Sequence, residues 1–224
     1  MKTLYLDCFS GISGDMFLGL LIDLGVDQQQ LETELAKLGL SGFHLKVDRE
    51  QRHGIEGCRV QVHCDEQSTH RHWSEIDRIL EQSELDSGPK ELARRLFRRL
   101  GEAEAKVHGI ALEQVHFHEV GALDAIVDLA GAAIGLHLLA PDQILCAPLP
   151  LSRGLSQCAH GALPLPAPAT LELLRGFPVC DSGIDKELVT PTGAAIAAEM
   201  ATSGQLSALR IDQILLTQCH FGTG

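Results

Sequence analysis

Two histidines, His116 and His118, occur in the run Val115-His116-Phe117-His118-Glu119-Val120, with Asp124 and Asp128 shortly after them. If Gln114–Val120 is a strand, its period of two points both imidazoles to one face. A helix that starts near Ala122 then makes Asp124 and Asp128 i,i+4 neighbours on one helical face. Imidazoles and carboxylates, Glu119 among them, would meet where strand gives way to helix. Imidazole suits nickel, zinc and copper better than magnesium, so a borderline metal is the chemistry these residues fit. Plainer roles exist for the same residues. A histidine pair can be satisfied by hydrogen bonds at a sheet edge, and Asp124 can serve the positive end of a helix.

Further segments carry residues with chemical capacity. In Asp7-Cys8-Phe9-Ser10-Gly11-Ile12-Ser13-Gly14-Asp15-Met16, a strand runs into a glycine loop and then a helix. Backbone N–H groups at such a junction can receive an anion. Asp7, Ser10, Gly11, Ser13, Gly14 and Asp15 are therefore candidates for binding a phosphate or orienting a cation. The spacing is neither that of a P-loop nor that of a dinucleotide fingerprint, and a tight connection capped by Asp15 is the alternative. His70-Arg71-His72 lies in a polar stretch, where a flexible His-x-His can capture a metal or simply be solvated. His160-Gly161 permits close approach of a ligand. In Glu187–Gly193 the hydroxyls of Thr190 and Thr192 can contact a phosphate or carboxylate, or can serve only as a helix cap. There is no Gly-x-Ser-x-Gly elbow, and no cysteine stands in a nucleophile motif.

The elements that must position these residues alternate between helix and strand. The pattern predicts strands over Thr3–Cys8, Phe43–Glu50, Cys58–Asp65, Gln114–Val120, Ile144–Ala147 and Ile211–Cys219. Helices are expected over Asp15–Leu24, Gln28–Leu38, Glu75–Glu81, Lys90–Val107, Ala122–Leu139, Pro168–Leu174 and Thr192–Met200. Ser74 with Asp77 reads as a variant capping box. Thr190-Pro191 reads as a cap with proline in the first turn. The small residues of Ala122–Leu139 suggest burial against a sheet or another helix. Pro148–Pro168 reads as an extended loop. The sum is an α/β fold with a mixed sheet flanked by helices, as one large domain or two closely packed lobes.

Composition narrows the function classes. The chain has 224 residues, 45% of them apolar, enough for a substantial core. Its formal charge of −12 argues against nucleic acid as a partner. The arginines of Lys90–Arg99 alternate with leucines as on the solvated side of an amphipathic helix, an RNA-binding helix being the alternative. No membrane-length apolar stretch or signal peptide is visible. Seven scattered cysteines without a Cys-x-x-Cys pair fit a reduced, cytoplasmic protein. Most of them, Cys146 and Cys180 for instance, read as small core residues.

Taken together, Asp7–Met16, the histidine loop before Trp73–Leu80, Val115–Asp128, His160–Arg175 and Glu187–Ala195 make the chain resemble the LarC-type nickel-insertion proteins over nearly its whole length. The resemblance implies insertion of Ni(2+) into pyridinium-3,5-bisthiocarboxylic acid mononucleotide, giving the nickel-pincer cofactor of lactate racemase. It implies nickel–sulfur and nickel–carbon bonds, and dependence on CTP with Mn(2+) or Mg(2+). It also implies a carboxyl-terminal CTP-binding domain or subunit, which would begin where this sequence stops. The chain would then be a separately encoded amino-terminal product or a trimmed one, active chiefly with that partner. Many relatives carry a longer histidine cluster before the Trp73 helix, whereas this chain retains His70 and His72, so less nickel gathering is expected there. His116, His118, His70 and His72 become the expected metal ligands. Glu119, Asp124 and Asp128 become ligands, second partners of the imidazoles, or the base that removes a ring proton. Homo-oligomers are compatible with all of this. Two other functions fit the same residues: a nickel carrier whose chemistry lies in the other domain, and a metal-dependent phosphohydrolase.

Overall fold

The computed structural model describes residues 1–52, 54–65, 71–117, 123–158, 161–204, 211–215 and 217, apart from the side chains of residues 157 and 158. The alternating segment Thr3–Leu6 forms β1 and buries Leu4 and Leu6. Helices α1 (Gly14–Asp23) and α2 (Gln28–Ala36) follow, the second capped by Asp27, whose carboxylate accepts from Gln30 N. Strands β2 (Phe43–Arg52) and β3 (Ile55–Cys64) form an antiparallel hairpin. Then come α3 (Trp73–Gln82), α4 (Ser87–His108), a 3-10 turn at Leu112–Gln114, and α5 (Leu123–Leu139). The second half contains β4 (Gln143–Cys146), β5 (Leu149–Leu151), β6 (Leu155–Cys158), β7 (Gly161–Pro164) and α6 (Pro168–Leu173). It continues with β8 (Val179–Asp181), α7 (Pro191–Met200) and β9 (Thr202–Ser203).

The class is α/β, with parallel and antiparallel pairing both present. Among the described residues, β1, β4 and β9 make a parallel sheet and β5 pairs with β8 in parallel. The β2–β3 and β6–β7 pairs are antiparallel. Helix α5 runs through the core, with Ile126, Val127, Leu129 and Ile134 buried around its circumference. Its small residues explain how α1 comes so near. A Cβ on Gly131 would lie 2.8 Å from Leu18 Cδ2, and one on Gly135 would lie 2.6 Å from Leu21 Cδ1.

The arginines of α4 are largely spent on neighbouring helices. Arg94 makes two hydrogen bonds to Asp77 of α3, at 2.8 and 3.0 Å, while Arg95 and Arg99 both reach Glu199 of α7. No helix among the described residues is long and apolar enough to cross a membrane.

Several expectations need correction. Gln114–Val120 is not a strand where it is described. Gln114 N turns back to Ala111 O at 3.0 Å, and only His116 makes a β-bridge, to His72. The alternation itself survives, because Val115 and Phe117 are buried on either side of His116. Ile211–Leu215 is also not a strand. Ile211 and Ile214 are exposed, and among the described residues of this segment the one bridge is from Thr217 to Cys58. Pro148–Pro168 is less irregular than expected, since three short strands are drawn from it. Helix α3 starts earlier than Ser74 and is capped otherwise, with His72 N donating to Glu75 Oε2 at 3.3 Å while Asp77 is held by Arg94. Cys180 is exposed rather than a core residue.

Candidate functional site

Two of the loops singled out in the sequence close on each other. Ile12 N donates to Leu188 O at 3.0 Å, and Thr190 N donates back to Ile12 O at 3.1 Å, forming a parallel bridge of Ile12 with Val189. Glycine is required on both sides. Gly11 has φ +104°, and a Cβ there would lie 1.9 Å from Leu188 O. A Cβ on Gly193 would lie 2.1 Å from Ile12 O. Thr190 Oγ1 accepts from Gly193 N at 3.2 Å and so caps α7, with Pro191 in its first turn as expected. Thr192 Oγ1 accepts from Gly14 N at 3.2 Å and lies 3.0 Å from Thr190 Oγ1. The two hydroxyls therefore join the amino-terminal ends of α1 and α7.

The carboxylates gather beside this junction. Gly14 leaves room for Asp128 of α5, whose Oδ2 would lie 2.3 Å from a Cβ at that position. Asp128 Oδ1 is shut off from solvent and has no hydrogen-bond partner among the described residues. Burial pushes the Asp128 carboxyl well above the usual range, and the charges of Asp15 and Asp124 push it further. Asp15 is tied down by Ser13 Oγ and by Met16 N, and Asp124 by Ala125 N at 2.8 Å. The i,i+4 relation read from the sequence holds, because both aspartates lie on α5 and Asp124 acts on Asp128. Asp7 is exposed past the end of β1, where its charge acts on Tyr5, Cys8 and Cys146. Ser10 is partly buried in the same loop.

The histidines come together through a second pairing. Phe117 N donates to Arg71 O and Trp73 N to Val115 O, both at 3.1 Å, which sets His72 opposite His116. Their ring centroids are 4.6 Å apart, with planes inclined by 60°. Helix α4 fixes this pairing from below. Gly101 leaves space for Trp73 and Leu112, each 2.7 Å from a would-be Cβ, and Arg98 lies over the Trp73 ring. His70, His118, Glu119 and His160 lie outside the described residues.

Cys64 is the residue that the sequence did not single out. The residue is exposed at the end of β3, and partial desolvation of its thiol, with the charges of Asp124, Asp65 and Asp128, pushes the thiol up. Arg71, next to His72, acts on it in the opposite sense. The charges of Asp124, Asp128 and Arg71 thus all reach this one soft donor. Among the described residues, no three His, Cys, Asp or Glu side chains close on a common point to make a complete metal shell.

The described residues thus hold one close pair of imidazoles, His72 with His116, and a separate group of aspartates, Asp15, Asp124 and Asp128, at the start of α5. The family model described as nickel insertion protein matches residues 4–220, and the chain belongs to that family. A Syntrophotalea carbinolica protein named for nickel insertion is 56% identical over 214 residues, covering 96% of this chain and 54% of its own length. Two Desulfitobacterium hafniense proteins, from strains DCB-2 and Y51, carry the name pyridinium-3,5-bisthiocarboxylic acid mononucleotide nickel insertion protein. Each is 46% identical over 215 residues, covering 96% of this chain and 54% of its own length. The chain spans about half the length of the curated relatives it matches. No solved structure matches it.

Proposed function

We propose that this chain is the nickel- and substrate-holding part of an insertase that places Ni(2+) into pyridinium-3,5-bisthiocarboxylic acid mononucleotide, in making the nickel-pincer cofactor of lactate racemase. The observation that supports this is the close approach of the His72 and His116 rings, with centroids 4.6 Å apart, in a chain of the nickel insertion family. His72 and His116 supply two donors to the incoming nickel, with His70 and His118 on the same segments as further candidates. A partial protein shell suits a metal that must be given up, since the thiocarboxylate sulfurs of the substrate can complete and then take over the coordination. Formation of a nickel–carbon bond releases a ring proton. Asp128 is the base proposed for it, because burial and the neighbouring carboxylates raise its carboxyl and so make it a stronger proton acceptor than an ordinary aspartate. The converged amino-terminal ends of α1 and α7 favour an anion and are proposed to receive the substrate phosphate.

CTP and its Mn(2+) or Mg(2+) are assigned to a carboxyl-terminal domain or subunit matching the part of the relatives that this chain does not span, and the setting to the cytoplasm. A nickel carrier without substrate binding is the competing function, and titration of the nickel-free pyridinium mononucleotide into the chain separates the two. Saturable binding that weakens at least roughly tenfold, a loss of about 1.4 kcal/mol, in Gly14→Ala is expected. Nickel binding with no affinity for the mononucleotide would establish the carrier instead.

A further inference from the structure

His44 and His63 face each other across the β2–β3 hairpin, in a register that also pairs Phe43 with Cys64 and Leu45 with Val62. Leu45 and Val60 are buried on the inner face of the hairpin, and the alternation turns His44 and His63 outward, where both are exposed. The two rings stack with centroids 5.0 Å apart and planes inclined by 9°. Neither belongs to the site at the head of α5. Their outward neighbours also suit a cation. Lys46 is neutralised by Asp48 at 2.8 Å, and Asp65, two residues beyond His63, keeps its carboxylate beside Gly42.

We propose that His44 and His63 form a second metal site, an exposed two-imidazole clamp that takes a borderline divalent cation such as nickel, with water in the remaining positions. Directly opposed cross-strand residues have Cβ atoms about 4.5–5.5 Å apart. Imidazole nitrogens bind such metals at about 2.0–2.1 Å, so two ring nitrogens must come within roughly 3 Å of each other. Rotation about the side-chain bonds brings stacked rings to that spacing while the backbone stays still. The paired register along both strands holds the two Cα positions fixed, so little order remains to be imposed on binding. A clamp with only two protein donors, open to water, exchanges its metal readily. That is the behaviour of a capture site rather than a store. The choice of nickel rests on the proposed function, whereas the clamp itself does not.

The test is calorimetric titration of Ni(2+) alone into the whole chain, comparing wild type with His44→Gln/His63→Gln and with His72→Ala/His116→Ala. The clamp predicts that His44→Gln/His63→Gln binds one nickel fewer per chain while its thermal midpoint stays unchanged. It also predicts that the His72→Ala/His116→Ala chain keeps that nickel. In the latter chain, one equivalent of Cu(2+) should show two imidazole nitrogens by electron paramagnetic resonance, and the single variants His44→Gln and His63→Gln should each show one. Equal nickel stoichiometry in wild type and His44→Gln/His63→Gln overturns the clamp. Loss of mononucleotide binding in wild type overturns the proposed function and leaves the clamp standing.

Discussion

Asp128→Asn is expected to stabilise the chain and to disable it. The Asp128 carboxyl is held well above the ordinary range by burial and by Asp15 and Asp124, and its Oδ1 has no hydrogen-bond partner among the described residues. A folded carboxyl raised above its unfolded value of about 4 binds an extra proton between the two values. Wild-type stability therefore falls as pH rises from about 4 through the folded value, and is constant again above it. Asparagine has no charge to bury and removes this dependence. At neutral pH the variant should gain about 1–3 kcal/mol, or roughly 3–9 °C in thermal midpoint for a chain of this size. Below pH 4 the two proteins should melt together. In the insertion reaction proposed for this chain, nickel incorporation by the variant should fall roughly 10²–10⁴-fold, the usual contribution of a positioned base. Melts at pH 4 and pH 7 beside an incorporation assay check both halves. A variant that is less stable at neutral pH, or fully active, would remove Asp128 from its proposed role.

Gly193→Ala should be among the most damaging single-methyl additions in the chain. The new Cβ would lie 2.1 Å from Ile12 O and 2.5 Å from Ile12 C, both backbone atoms. They can withdraw only by breaking the bonds of Ile12 to Leu188 and Thr190, and the Thr190 cap on Gly193 N. Overpacking of about 1–3 kcal/mol and two or three hydrogen bonds near 1 kcal/mol each put the loss at about 3–6 kcal/mol. Gly25→Ala is the useful contrast. Its φ of +102° carries strain, but the space around it is open, so about 1 kcal/mol is expected. Urea unfolding of both variants measures the difference. Equal losses would mean that the contact between the two loops is not what makes Gly193 necessary.

The locally encoded parts of the molecule were readable from the sequence. Thr190-Pro191 announced α7 because a side-chain acceptor and a fixed φ act within one turn. Asp124 and Asp128 share a face because helical period alone decides it. The glycines and alanines of α5 signalled close packing, though not that Leu18 and Leu21 would fill the space. What the sequence withheld was pairing between distant segments. Nothing local says that residues 11–14 meet residues 188–193, or that Arg71–Trp73 lies against Val115–Phe117. That second pairing also explains why, among the described residues, no ladder runs back from His116 to Gln114, since its partner becomes helix α3 after His72. Cys64 was passed over for the same reason. Its place beside α5 comes from where the hairpin ends, and no motif encodes that.

The most direct measurement is nickel titration of His72→Ala/His116→Ala in the His44→Gln/His63→Gln background, which leaves the head of α5 as the site under test. The account predicts one saturable nickel in the background chain and none once His72 and His116 are replaced. Nickel bound equally well without those two imidazoles would contradict it, and would place the metal away from the bridge that joins the histidine segments.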